Sequence, residues 1–130
     1  MEIIYVENVN EIKDYRMDGF CVGWKNPLSE TDLRKICENS QFCIFAIDME
    51  KKRIVGIINA LSDNVHWAFI PNLEVLPEYQ KIGIGKELIT KMLLMLEHLK
   101  NIDLICDENM QHFYSKFGMY KSHGMLLRKN

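Results

Sequence analysis

The stretch "VLPEYQKIGIGKELI", residues 75–89, decides how the rest of the chain is read. An apolar run stops at Pro77, Gly83 and Gly85 follow with one residue between them, and a long amphipathic segment begins on top of them. That succession predicts a strand, a tight glycine turn and a helix N-terminus. The first four N–H groups of a helix have no intrahelical partner, and the helix dipole adds partial positive charge there. Glycines just ahead of the helix let the backbone fold closely, so several N–H groups converge on one anion. Lys81 and Lys86 flank the turn with full charges. The pattern suits a phosphate and, better, a pyrophosphate. Taken alone, the glycines equally suit a plain strand-to-helix turn.

Two phosphate loops are excluded by reading. A P-loop needs a glycine where Gln80 stands and a Ser or Thr where Glu87 stands. A dinucleotide fingerprint needs a third glycine at Leu88 and a surrounding βαβ unit, and neither is present.

Working outward, "EIIYVE" (2–7) reads as a short strand. In the segment that follows, Asn10 is placed to cap a short helix, but Gly19, Gly23 and Pro27 break the rest into loop. "SETDLRKICEN" carries a helix start, with Ser29 as N-cap and Asp32 in the first turn. Three strands are expected next, over Phe42–Ile47, Ile54–Leu61 and a run ending at Val75, joined by the turns "DMEKKR" and "SDN". Pro71 cannot donate to a ladder, so the third strand should carry a bulge or lie at an edge there.

A helix from Gly83 to about Lys100 lines up Ile84, Leu88, Met92, Met95 and Leu99 on one stripe. "IDLICD" reads as a strand, "ENMQHFYSKFG" as a helix closed by Gly118, and "MYKSHGMLLRK" as a last strand with Gly124 at a bulge. The order indicates one α/β domain, residues 1–130, on a mixed sheet.

The bulk numbers agree. A chain of 130 residues, 48 % hydrophobic and 26 % charged, is large enough for a core without disulfides or metals. The net charge of −2 offers no field for nucleic acid. No apolar run is long enough for a membrane span, and "MEIIYVENVN" lacks the layout of a secretion signal, so a cytoplasmic protein is expected. Cys21, Cys37, Cys43 and Cys106, without any C-x-x-C pair, read as reduced thiols, and the four histidines show no ligand spacing, so no metal is expected.

"QKIGIG" matches a Q/R-x-x-G-x-G/A pattern behind the L-x-V-x-P-x-Y-Q rhythm of "NLEVLPEYQ". Both resemble the acetyl-CoA-binding segment of the GNAT superfamily of N-acetyltransferases. Downstream, "FYSKFGMY" (113–120) resembles that superfamily's F-Y-x-K-x-G-F signature, with Met119 in place of the usual Phe. Lys81 stands where the family often has glycine, a position that need only supply an N–H. The resemblance spans nearly the whole chain and is weakest before about residue 40.

The resemblance implies a mixed, mostly antiparallel sheet of about six to seven strands flanked by about four helices, its central strand bulged and splayed. It implies acetyl-CoA as co-substrate. The pyrophosphate would lie on N–H groups of Gln80, Lys81, Ile82, Gly83, Ile84, Gly85 and Lys86. The pantetheine arm would pair with the main chain at Leu73, Glu74 and Val75. Val75 N–H is the candidate for polarising the thioester carbonyl. Tyr114 is implied as the donor to the departing thiolate, its plain alternative being a core aromatic beside Phe113 and Phe117. Asn109 either bonds the pantetheine arm or caps its helix.

Glu74 alternates to the face opposite Leu73 and Val75 and is the general-base candidate, reaching the cleft directly or through water. Asp107 and His112 are weaker candidates, and a water chain without a dedicated base is the remaining option. Cys106 ends an apolar strand and reads as buried rather than nucleophilic.

The acceptor side should come from residues 8–40 and 61–66. Phe20, Trp24 and Trp67 offer apolar or cation–π surface, and Asp18, Glu30, Asp32 and Asp63 offer charge for an amine. A small amine is the expected acceptor, with a peptide N-terminus or a lysine as alternatives. A non-catalytic acyl-CoA sensor and an unrelated phosphate-binding module are the competing classes. Ile89, Leu93, Leu94 and Leu96, outside the main helix stripe, suit either a homodimer or burial within one chain.

Overall fold

Residues 42–75 form the antiparallel meander that their turns predict, in a computed structural model that describes residues 1–129. In chain order the elements are β1 (Ile3–Val6), α1 (Glu30–Glu38), β2 (Phe42–Asp48), β3 (Arg53–Ser62), β4 (Trp67–Val75), α2 (Ile84–Met95), β5 (Asn101–Leu104) and α3 (Gln111–Ser115). Single 3-10 turns lie at Val9–Glu11, Pro77–Tyr79 and Glu108–Met110. The sheet runs β1-β2-β3-β4-β5, antiparallel through β4, with β5 parallel to β4. A parallel neighbour needs a crossover, and α2 supplies it.

Cys43–Asp48 and Ile54–Ala60 are buried without a break, so both faces of the sheet are covered along these stretches of β2 and β3. On one face lies α2, through Ile84, Leu88 and Met92 of the predicted stripe and through Ile89. It approaches β3 so closely that a Cβ at Gly56 would sit 3.0 Å from Leu88 Cδ1 and 3.1 Å from Ile84 Cγ2. The other face is closed by α1 and the loop before it. Ser40, just past α1, takes a 3.0 Å hydrogen bond from Asn59 Nδ2 there. Ser29 caps α1 as expected, its Oγ accepting from Asp32 N–H at 3.0 Å.

Pro71 sits at a bulge. Asn72 pairs with Asn59 and Phe69 with Leu61, so Ile70 and Pro71 face Ala60 alone. β5 follows β4 only from Trp67 to Ile70. Beyond the proline the two strands part, and one side of residues 72–75 is left without a neighbour. This is the splayed central strand that the resemblance implied.

The counts are lower than expected, with five strands and three α-helices among the described residues. Asn10 caps no helix. Its N–H donates to Asn8 Oδ1, which caps the single turn Val9–Glu11. α2 ends at Met95 rather than near Lys100, because the chain must turn over Leu96 and Leu99 to enter β5. The expected last strand over 119–129 does not form. Residues 119–129 have no ladder partner, and a strand is defined by its partner. Ile89 and Leu96 are buried in the chain's own core, which removes them from the apolar surface weighed for a homodimer, while Leu94 stays 66 % exposed.

Candidate active site

The open edge of β4 comes first. Leu76 N–H donates to Val55 C=O at 2.9 Å, so strand alternation turns the N–H and C=O groups of Val75 and Leu73 away from β3. They face the gap left by β5. One of these groups is taken: the Gln80 side-chain amide donates to Val75 C=O at 2.9 Å. Leu73 N–H, Leu73 C=O and Val75 N–H form a short ladder edge, the main-chain surface that an amide-bearing arm requires.

The chain then turns sharply. Pro77–Tyr79 makes one 3-10 turn, closed by Tyr79 N–H on Leu76 C=O at 2.9 Å and Gln80 N–H on Pro77 C=O at 3.3 Å. Gln80 was expected to offer its N–H to an anion; here that group closes the turn, and the side chain braces Val75. Lys81 (φ +68°) and Gly83 (φ +94°) are left-handed, which curls the following N–H groups into a concave nest. Gly83 is the N-cap of α2, and no side chain caps the helix. The N–H groups of Ile84, Gly85 and Lys86 therefore lie at an uncapped helix start. Lys81 and Lys86 are exposed, and neither forms an ion pair among the described residues. A pyrophosphate fits this nest: it would receive N–H groups, dipole and two free ammonium groups.

A Cβ at Gly85 would lie 3.8 Å from Val75 Cγ2 and 4.0 Å from Phe113 Cζ. The end of β4, the start of α2 and α3 thus converge. On α3, Tyr114 is buried, its ring edge-on to Phe113 with centroids 5.0 Å apart, and Phe113 meets Phe117 at 5.3 Å. Tyr114 is therefore a core aromatic, yet it also lines a cavity of about 1110 Å³ with Leu104 and Cys106. Burial first, and the neighbouring Cys106 second, push its phenol up to about 12, so it stays a proton donor. The Cys106 thiol is pushed up by burial and by Asp107, which keeps it protonated and unfit as a nucleophile. Asn109 is exposed in the turn Glu108–Met110, and α3 has Met110 as its N-cap, so Asn109 does not cap that helix. Asp107 and His112 are exposed beside it.

Glu74 lies on the face opposite Leu73 and Val75, as alternation predicts. Its carboxylate, expected as a base, is held by the N–H groups of Cys21 at 2.9 Å and Val22 at 3.2 Å. Those residues belong to a loop with three left-handed positions, Gly19, Cys21 and Gly23. No local signal identifies this partner, which lies 53 residues away in sequence. The acidic residues proposed to draw an amine are mostly engaged elsewhere. Asp18 pairs with Arg16 at 3.0 Å, and Glu30 pairs with Arg34 at 3.4 Å. Asp63 accepts N–H bonds from Val65, His66 and Trp67, which hold its carboxyl at about 2. Asp32 is exposed. Phe20 is core, whereas Trp24 and Trp67 are about half exposed, with Trp67 Nε1 donating to Asp103.

Among the described residues no helix is long and apolar enough to cross a membrane, and no three His, Cys, Asp or Glu side chains group as metal ligands.

Known proteins are similar to this chain in sequence and in fold. The chain is 30 % identical over 125 residues to the uncharacterized N-acetyltransferase ycf52 of Pyropia yezoensis, covering 91 % of this chain and 71 % of that protein. It is likewise 30 % identical over 139 residues to the chloroplastic GCN5-related N-acetyltransferase 2 of Arabidopsis thaliana, with 91 % of this chain and 54 % of that one aligned. Its fold superposes on a crystal structure of a candidate acetyltransferase from Deinococcus radiodurans R1 with a TM-score of 0.91. That pair is 31 % identical, covering 98 % of this chain and 88 % of the other. A GNAT-family acetyltransferase of Streptococcus pneumoniae TIGR4 shares the fold at a TM-score of 0.73 and 22 % identity, with 98 % of both chains covered. The family model for the acetyltransferase (GNAT) family matches residues 9–119, and with the open β4 edge and the glycine nest in place, this chain belongs to the GNAT acetyltransferase family.

Proposed function

We propose that the protein is an acetyl-CoA-dependent N-acetyltransferase whose acceptor is a small primary amine. Membership of the family carries acyl-CoA-dependent acetyl transfer. The observation that carries the finer reading is the continuity of the open β4 edge, the left-handed nest at Lys81–Gly83 and the uncapped start of α2. Leu73 holds the pantetheine arm through its N–H and C=O, Val75 N–H is left for the thioester carbonyl, and Lys81 to Lys86 hold the pyrophosphate. Asn109, exposed nearby, is available to the arm.

Each step asks something of the chain. An alkylamine has a pKa near ~10 and must shed a proton before attack. We assign that proton to water, because Glu74 is committed to the loop at Cys21 and Val22. Val75 N–H points into the gap and polarises the thioester carbonyl as the nitrogen adds. Tyr114, protonated up to about 12, donates to the thiolate as the carbon–sulfur bond breaks, and the proton that the nitrogen sheds on becoming an amide returns through water to the phenolate.

Calorimetric titration of acetyl-CoA, with ATP and NAD as controls, tests the binding half. Selective micromolar binding is expected; binding of ATP or NAD without acetyl-CoA would overturn the reading. A thiol-release assay over an amine panel, including peptide N-termini and lysine, tests the rest. Binding without release on any amine would favour an acyl-CoA sensor.

A further inference from the structure

A bulge changes which residues of a strand share a face. Asn59 and Leu61, two apart in β3, lie on one face of the sheet, so their partners Asn72 and Phe69 lie there too. Without the extra residue at Ile70–Pro71, Asn72 and Phe69 would point to opposite faces. As it is, Asn72 shares its face with Phe69, which lines the cavity beside Tyr114, and with Glu74, which holds the loop at Cys21 and Val22. β5 has already parted from β4 at this point, and Asn72 is half-buried.

A chain of hydrogen bonds that ends in a carbonyl fixes the orientation of this side chain. Ile36 C=O only accepts, so Ser40 Oγ gives its hydrogen there, at 2.7 Å. Ser40 Oγ then accepts from Asn59 Nδ2 at 3.0 Å, which turns Asn59 Oδ1 toward Asn72. Asn59 is 2 % exposed, and its Oδ1 accepts from Asn72 Nδ2 at 3.1 Å. Each link sets the sense of the next, so the Asn72 amide cannot turn over without breaking the chain. Its Oδ1 points away from Asn59, and no group among the described residues donates to it.

We propose, resting on the acetyltransferase reading, that Asn72 Oδ1 receives one N–H of the acceptor amine and aims its lone pair at the thioester carbon. Asn59 and Ser40 are the positioning residues behind it. A neutral primary amine has two N–H groups, one for Asn72 and one for the water that removes a proton. The carbon–nitrogen bond forms, the carbon–sulfur bond breaks and Tyr114 protonates the thiolate. The nitrogen sheds the N–H that faces water, and the product amide keeps the other on Asn72. A secondary amine has a single N–H, for which Asn72 and water compete, and its product leaves Oδ1 without a donor. Asn72 therefore selects primary over N-methylated acceptors.

Rates with butylamine and N-methylbutylamine, on the full chain saturated with acetyl-CoA, test this. Asn72→Ala should lower kcat/KM for butylamine about 10-fold or more and shrink the preference over N-methylbutylamine by a similar factor, with acetyl-CoA affinity within a factor of about 3. Ser40→Ala frees the Asn59 amide to turn and should shrink the same preference by a smaller factor. A preference that Asn72→Ala leaves unchanged would overturn the assignment. Because Asn72→Ala also strips the buried Asn59 Oδ1 of its donor and so weakens the fold, a second measurement uses wild type alone. In nitrogen-15 spectra of the chain loaded with CoA, butylamine should shift the Asn72 side-chain amide. Butyltrimethylammonium, with the same alkyl chain and charge but no N–H, should not. Equal shifts, or none from butylamine, would also overturn it. Wild type that binds no acetyl-CoA fails the functional reading and this assignment with it. Wild type that acetylates butylamine with a preference indifferent to Asn72→Ala keeps the functional reading and loses only this one.

Discussion

The Tyr79 hydroxyl donates a 2.6 Å hydrogen bond to Asp48 Oδ2, tying the turn that feeds the glycine nest to the hairpin between β2 and β3. Asp48 Oδ1 accepts from Glu50 and Lys51 N–H at 3.0 and 3.3 Å. The Tyr79 hydroxyl first, then those N–H groups, hold the Asp48 carboxyl below its ordinary value of 3.8 against the opposing effect of burial. Tyr79→Phe leaves Oδ2 buried without its donor, so the melting temperature should fall on the order of 5 °C at pH 7. A folded pKa below the unfolded one adds stability above the unfolded value, lost as pH falls through the folded value. The gap between variant and wild type should therefore narrow below about pH 4. Calorimetry at pH 7 and pH 3 checks this; equal melting temperatures at pH 7 would deny the hydrogen bond any role.

Tyr114→Phe keeps the ring and its contact with Phe113 but removes the proton. Turnover should drop by about 10²-fold or more, with acetyl-CoA affinity within a factor of about 3. Because the phenol holds its proton up to about 12, the wild-type rate should show no alkaline decline from this group below pH 10. Steady-state rates on both proteins, beside calorimetric affinities, decide it. Unchanged turnover would leave Tyr114 as packing alone.

Gly83→Ala and Gly56→Ala should fail differently. At Gly83 nothing lies within 4 Å of a new Cβ, but the φ of +94° is costly for alanine, by about 1 kcal/mol. Acetyl-CoA binding should weaken, because relaxing that angle flattens the nest. At Gly56 the new methyl meets Leu88 and Ile84 at the heart of the α2–β3 contact, and overpacking there costs about 1–3 kcal/mol. Chemical denaturation paired with acetyl-CoA titration should show an affinity loss, relative to stability lost, only for Gly83→Ala.

Glu74→Gln replaces one of the two accepting oxygens with a donor, so the loop at Cys21–Val22 should loosen. The acceptor KM should rise about 5-fold or more while kcat falls less than threefold, since a neutral acceptor loses roughly 1 kcal/mol at such a contact. A collapse of kcat together with loss of the acidic limb of its pH profile would instead make Glu74 the base.

Local chemistry was legible. Ser29 reaches Asp32 N–H three residues on, Pro71 lacks the N–H a ladder needs, and Gly83 takes the angle that other residues avoid; each effect acts within a few residues. The strand–turn–helix of the nest and the helix that carries Tyr114 were therefore fixed by spacing and residue type. What depended on long-range closure was not legible. Glu74 as a clamp on Cys21 and Val22, Tyr79 on Asp48 and the early end of α2 follow from which segments the sheet brings together. The tail shows the division most plainly. Residues 119–129 have the composition of a strand, and their sequence alone predicts one, but a strand exists only where a neighbouring edge takes up its hydrogen bonds. Which edge that is depends on the geometry of the whole molecule.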